Sequence, residues 1–159
     1  MSSAVRTQAG TLDLNFDNPV KSVIEGTVDT GSVTTGDKDR DNHLRSVDFF
    51  DVETYPQMAF RSTRIERNGG DQFRVHGDLT TKDVTRPITF DVTYEGRAKD
   101  PWGNQRAGFN GAAKLNRKDF GLTWNVALEA GGWLVGEEVK INVAMELIEQ
   151  VAEPVAVIA

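Results

Sequence analysis

The chain has 159 residues, about the length of one domain, and 38% of them are hydrophobic, which is enough for a folded core. Its net charge of −6 argues against a nucleic-acid partner and against docking on an anionic membrane surface, because both require clustered Lys and Arg. The absence of Cys excludes disulfides and Cys metal sites.

The N-terminal segment predicts a cytoplasmic protein. MSSAVRTQAG (1–10) has no apolar core of the kind that signal peptides carry. No window of the sequence reaches the roughly 18 apolar residues of a membrane-spanning helix, so we expect no membrane insertion. A longer precursor would instead allow a periplasmic location.

Apolar and polar residues alternate along most of the chain, the pattern of strands with one buried and one solvated face. In the first such segment, Leu12, Leu14 and Phe16 share one face. The alternating segments are TLDLNF (11–16), SVIEGTVDT (22–30), residues 57–67, QFRVHGDLT (72–80), PITFDVTYEG (87–96), residues 109–115 and EEVKINVAMELI (137–148). Turn sequences at 68–71 and 100–105 separate some of them. Seven or so antiparallel strands indicate a barrel or a sandwich, and the spacing of turns does not choose between the two.

Two short stretches favour a helix. Residues 37–46 carry acidic side chains early and Arg45 late, which suits the helix dipole. The second stretch, at about 118–122, has a weaker pattern. We find no internal repeat or linker, so the sequence predicts a single domain over 1–159.

The segment DKDRDNHLRSVD (37–48) has some features of a calcium-binding loop. Asp37, Asp39 and Asp41 stand at the first, third and fifth positions of that loop. Asn42 replaces the Gly that the sharp turn requires, and Asp48 replaces the bidentate Glu at the end. We therefore favour a solvated helix start with local Asp–Arg pairs over a calcium site.

Residues that would support catalysis or metal binding are few. His43 and His76 are the only histidines, whereas a catalytic zinc usually has three protein ligands, so no metal site is predicted. His76 falls on the polar face of its strand, and His43 is expected to pair with a carboxylate or to cap a pocket mouth. No Ser lies in a G-x-S-x-G turn. We expect a protein without catalysis, with a buried carboxylate pair as the remaining alternative.

Five segments, in order along the chain, resemble the signature blocks of the YceI-like family, a lipocalin-like group also called polyisoprenoid-binding proteins. The resemblance covers about residues 10–148 and leaves 149–159 as a tail. The segments are RDNHLRSVDFFDVETYPQMAFRST (40–63), GDLTTKDVTRPITFDVTYEG (77–96), DPWGNQRAGF (100–109), LNRKDFGLTWN (115–125) and GGWLVGEEVKINVAMEL (131–147).

The resemblance implies an all-β, lipocalin-like antiparallel β-barrel of about eight strands with one short helix. It implies that the lumen holds a long-chain amphiphile, such as a polyisoprenoid or an isoprenoid quinone, for transport, storage or protection. It implies neither catalysis nor a cofactor. The alternative is the same fold with a filled or open lumen, acting as an interaction or stress-response protein.

The apolar strand faces and the aromatic residues that follow the helix are the predicted lining of that lumen. Leu44, Phe49 and Phe50 are expected to anchor the helix over one end. The predicted ligand-binding residues are Phe49, Phe50, Met58, Phe60, Phe73, Val75, Leu79, Ile88, Phe90, Val92, Phe109, Trp124, Ile141, Val143 and Met145.

A polar head group would need donors at the mouth of the lumen. Arg40, His43 and Arg45 are assigned to it from their charge. The alternative is that Arg40 and Arg45 hold the short helix by pairing with Asp41 and Asp48.

One departure from the family pattern predicts an exposed sheet edge. The W-x-I/L-D-P-x-H-S-like first strand of the family has no counterpart here, and residues 1–10 correspond at most to part of the second strand. An unpaired edge strand promotes association. We therefore expect a homodimer, a tail VAEPVAVIA (151–159) that folds back, or a truncated version of the family.

Overall fold

Residues 4–13, 18–132 and 134–148 are described in this computed structural model, and they form one antiparallel sheet with a short helix. The strands pair strictly in sequence order, and the sheet curls into a half-barrel. The strands are β1 (Ala4–Asp13), β2 (Val23–Thr34), β3 (Gln57–Arg67), β4 (Gln72–Thr81), β5 (Val84–Lys99), β6 (Gln105–Asn116) and β7 (Glu138–Ile148). The all-β, lipocalin-like class with one short helix is confirmed.

The first strand lies closer to the N-terminus than the alternation predicted. β1 pairs with β2 from Ala4 opposite Thr34 to Asp13 opposite Val23, so residues 4–10 are a full part of the strand. The sequence signal is weak there because VRTQAG (5–10) holds few apolar residues. The predicted inward positions Leu14 and Phe16, and the tail 151–159, lie outside the described residues.

The meander gives the half-barrel two different ends. The capped end holds helix α1 (Lys38–Arg45), the 3₁₀ helix Arg117–Phe120 and the loop 121–137. The distal end holds a short 3₁₀ helix (Pro19–Lys21), the β3–β4 turn 68–71 and the β5–β6 turn 100–104. Within the described ranges, β1 pairs only with β2 and β7 only with β6, which leaves each with one hydrogen-bonded neighbour.

Helix α1 begins and ends where the charge pattern predicted. The carboxylate of Asp37 caps it by accepting a 3.0 Å hydrogen bond from the backbone N–H of Arg40, which lowers the pKa of Asp37. The buried carboxylate of Asp41 accepts from both the backbone N–H and the hydroxyl of Thr35, at 2.8 and 2.6 Å. Two of the three aspartates with calcium-loop spacing therefore hold the helix in place.

A β-bulge in β3 changes which residues face the concave side. The register with β4 shifts between Ser62 and Arg64, so Ile65 joins Met58 and Phe60 on the apolar face instead of pointing outward. The hydroxyl of Ser62 accepts a 2.9 Å hydrogen bond from the backbone N–H of Ile24 at the same level.

A buried carboxylate organises the distal turn 100–104. The side chain of Asp100 is 5% exposed. It accepts hydrogen bonds from the backbone N–H groups of Trp102 and Asn104 and from Nε of Arg106, at 2.9, 2.8 and 2.9 Å. Arg106 also contacts Glu146 of β7 at 3.1 Å. Burial opposes ionisation, but these donors outweigh it and lower the pKa of Asp100 from 3.8 to about 2.

The substitution Arg106→Gln should raise the pKa of Asp100 toward 3.8, because its charged donor is removed. A depressed folded-state pKa stabilises the protein above pH 3.8, and that contribution is lost as the pH falls toward 2. The free energy of unfolding of the variant should therefore depend less on pH between 3.8 and about 2. Urea denaturation measures this free energy, and NMR titration of the carboxyl groups measures the pKa of Asp100. Lys99→Gln is the matched control, and an unchanged Asp100 pKa in Arg106→Gln would contradict the assignment.

Candidate ligand-binding site

The concave face of the sheet carries two apolar clusters, one toward each end. The buried members of the capped cluster are Phe49, Leu79, Ile88, Ala113, Phe120 and Leu122. The buried members of the distal cluster are Ile65, Val75 and Val92. Half-buried residues pack around both, including Ile24, Phe73 and Phe109 at the distal end.

The structure brings most of the predicted lining residues onto these two clusters. In the capped cluster or packed against it are Phe49, Phe50, Met58, Phe60, Leu79, Ile88, Phe90, Trp124 and Ile141. In the distal cluster or packed against it are Phe60, Phe73, Val75, Phe90, Val92 and Phe109. Val143 and Met145 belong to neither cluster, and they lie half-buried on β7 opposite Gly111 and Phe109. Their contact with a ligand stays a prediction.

Phe60 and Phe90 are the aromatic residues shared by both clusters. Their ring centroids lie 5.3 Å apart and the planes meet at 84°, the favourable edge-to-face arrangement. Gly77 of β4 lies beneath the Phe60 ring. A Cβ at Gly77 would overlap with Cζ of Phe60 and would lie 2.5 Å from the carbonyl oxygen of Arg61, so only glycine permits this close approach.

A cluster of aromatic side chains holds α1 over the capped end. The His43 ring lies 5.0 Å from the ring of Phe49 and 4.4 Å from that of Trp124, nearly perpendicular to both. Nε2 of His43 is 2.9 Å from a carboxylate oxygen of Asp48. His43 therefore takes the carboxylate partner expected for it while its ring packs on the aromatic pair.

Arg40 bonds to the connection between β2 and α1. Its Nε donates to the hydroxyl of Thr35 at 2.8 Å and its Nη2 donates to the carbonyl of Thr35 at 3.0 Å. Asp41, the carboxylate expected to pair with Arg40, bonds to the same threonine. Arg40 thus holds the helix through Thr35, and its head-group role stays a prediction.

Arg45 braces the helix against the end of β2. Its guanidinium donates to the carbonyls of Gly31 and Val33 at 2.9 and 2.7 Å. Asp48, the carboxylate expected to pair with Arg45, lies against His43 instead. These carbonyls, which a sequence pattern does not reveal, are its closest partners, and its Nη1 also donates to Oδ1 of Asn42 at 3.4 Å.

Arg117 is the structural residue that the sequence analysis missed. It is 3% exposed, and its guanidinium donates only to backbone carbonyls among the bonds described. The acceptors and distances are Gly136 (2.7 Å), Leu122 (2.5 Å), Trp124 (3.0 Å) and Val135 (3.3 Å). Arg is usually exposed, so nothing in LNRKDFGLTWN indicates that this one is buried.

A cleft of about 600 Å³ lies on β5, β6 and β7 near the distal end. Its lining combines the apolar Phe109 and Met145 with the charged Arg97, Arg106 and Glu146. No helix in the described ranges is long and apolar enough to cross a membrane.

The seven-stranded meander with an apolar concave face can be compared with known proteins. A sequence model of the YceI-like domain matches residues 1–147. The chain belongs to this family. Protein YceI of Escherichia coli O157:H7 is 37% identical over 141 residues, which cover 89% of this chain and 70% of the relative. Protein YceI of Salmonella arizonae is 35% identical over the same lengths.

Solved structures of the family share the fold. A mutant CJ YceI protein with a monobromobimane guest superposes with a TM-score of 0.82 at 25% identity, covering 94% of this chain and 85% of the other. The Campylobacter jejuni YceI protein gives 0.76 at 26% identity, covering 92% and 85%. The fold is consistent with binding a hydrophobic ligand.

Replacing Arg117 by Met should destabilise the protein by roughly 2–4 kcal/mol, because several partly buried carbonyls lose a charged donor. Urea denaturation measures the change, and tryptophan fluorescence, recorded in a Trp102→Phe background, reports on the loop. Lys118→Met is the matched control: its partner Glu137 is half exposed, so its unfolding curve should barely move. Equal unfolding curves for the two variants would contradict the role given to Arg117.

Proposed function

We propose that this protein binds a polyisoprenoid or another long-chain amphiphilic lipid on the concave face of its half-barrel, for transport, storage or protection. The observation that carries the proposal is the apolar lining that runs from the capped cluster through Phe60 and Phe90 to the distal cluster. A long apolar chain binds by removing area from water, about 25 cal/mol per Å² before ordering costs. Such a ligand needs a long apolar wall with few polar groups.

The positions of the perturbed carboxylates support a role without catalysis. Within the described ranges, depressed pKa values belong to Asp37, Glu66, Asp100 and Glu137. Asp37 caps a helix, Asp100 organises a turn, and Glu66 bonds to His76 on the convex face. Catalytic acids and bases would instead be expected to converge within the apolar cavity.

A second candidate function is an interaction protein, and one surface favours it. Val126, Leu128 and Leu134 are 44%, 44% and 57% exposed on the loop of the capped end. The loop is held in shape by a 2.9 Å hydrogen bond from the backbone N–H of Leu134 to the carbonyl of Val126. Clustered exposed apolar side chains often mark a contact surface.

Association of two copies is also part of the proposal. β1 and β7 each have one described hydrogen-bonded neighbour, and an exposed strand edge is a template for pairing with another chain. Size-exclusion chromatography with light scattering should give a dimer. A monomer across the accessible concentration range would contradict this part.

Organic extraction of the purified protein followed by mass spectrometry should recover a prenyl or quinone-like species in near-stoichiometric amount. Phe90→Asp should reduce that recovery more than about tenfold, because burying a carboxylate against the apolar chain of the ligand weakens binding. Thr89→Asp places the same group on the convex face of the same strand and should leave recovery unchanged.

Circular dichroism establishes that both variants are folded before extraction. An extract without lipid from folded wild-type protein would contradict the lipid proposal and support the interaction role. A folded Phe90→Asp protein that retains lipid would contradict the placement of the ligand on the concave face.

A further inference from the structure

We propose that the Phe60–Phe90 ring pair is the floor of the ligand cavity and limits how far an apolar chain enters from the distal end. The inference rests on the lipid-binding function proposed above. It deepens that function by assigning the residues that select ligand length.

The capped side of the ring pair is closed by α1 and the loop 121–137. Phe49, Phe120 and Leu122 are buried there, and the Trp124 ring packs 5.4 Å from that of Phe49. The loop that carries Trp124 is fixed from within by Arg117. A chain that entered this half would have to displace these buried side chains, which is costly.

The distal side carries the cleft of about 600 Å³, whose apolar lining residues include Phe109 and Met145. Its wall residues Ile24, Phe73 and Phe109 are only half-buried. Gly111 contributes no side chain at the level of Val92 and Val143. An apolar chain would bury the exposed remainder of these residues, so binding there gains area without displacing core.

The strand arrangement explains how two rings close the space between these halves. Phe60 lies on β3 opposite Leu79 of β4, and Phe90 lies on β5 opposite Val75 of β4. Their backbones are therefore two strands apart and offset by four residues along β4. The rings meet over β4 because Gly77 has no side chain to hold them apart. The proposed floor therefore lies over Gly77, between the levels of Leu79 and Val75.

The floor also sets the orientation of the ligand. A chain that ends at Phe60 and Phe90 leaves its polar group at the distal rim, where the guanidinium of Arg67 lies 5.6 Å from the Phe73 ring centre. This is the opposite end from Arg40, His43 and Arg45, the head-group residues assigned from the sequence.

The experiment measures competition between a fluorescent fatty acid and a graded series of all-trans prenols that differ by one isoprene unit. For the wild type, affinity should rise with chain length and then stop rising at a cutoff. Phe60→Ala and Phe90→Ala should move that cutoff to a chain at least one unit longer. Phe60→Leu, which keeps an apolar side chain and folds more readily, should move it in the same direction.

Phe73→Ala is the matched control, because Phe73 lies in the wall above the floor. It should lower the affinity for every chain length and leave the cutoff in place. An unchanged cutoff in folded Phe60 and Phe90 variants, or an equal shift in Phe73→Ala, would overturn the floor while leaving lipid binding intact. Failure of the wild type to bind any prenol would overturn both proposals.

Discussion

The buried guanidinium of Arg117 is the interaction on which the capped end depends. It donates hydrogen bonds to carbonyls near both ends of the loop 121–137, and these bonds fix the position of Trp124. The Trp124 ring then packs on Phe49 and His43, which hold α1. A backbone loop without regular structure cannot satisfy its own carbonyls when buried, and one planar cation with several donors does so. Asn125 adds to this support, because its side chain accepts from the backbone N–H of Val135 at 2.9 Å and donates to the carbonyl of Val135 at 2.7 Å.

Closure at one end makes the two halves of the sheet different. The capped half holds the larger set of buried apolar residues, and α1 and the loop 121–137 close it. The distal half keeps half-buried aromatic residues that a ligand can cover. Phe60 and Phe90 stand between the halves and pack against both. The same apolar face thereby serves both folding and the proposed binding, in different places.

The sequence predicted the features that depend on the local alternation of apolar and polar residues and on local charge. Alternation located most strands, and the early acids with late Arg45 located α1, because both signals arise within one element. Features that depend on contact between elements were not predictable in this way. The bulge at Ser62–Arg64 decides where Ile65 points. The burial of Arg117 depends on how the loop 121–137 folds back over it, and Gly77 matters only because Phe60 lies over it. The resemblance to the family supplied the barrel, which alternation alone could not distinguish from a sandwich.

The most direct test of the account is the position of a bound apolar chain relative to methyl groups, measured by NMR nuclear Overhauser effects with a methyl-labelled protein and a prenol. The account predicts contacts from the chain to the methyl groups of Ile65, Val75 and Val92, and none to that of Leu122. Strong contacts to Leu122 and Ile88, with none to the distal methyl groups, would contradict it.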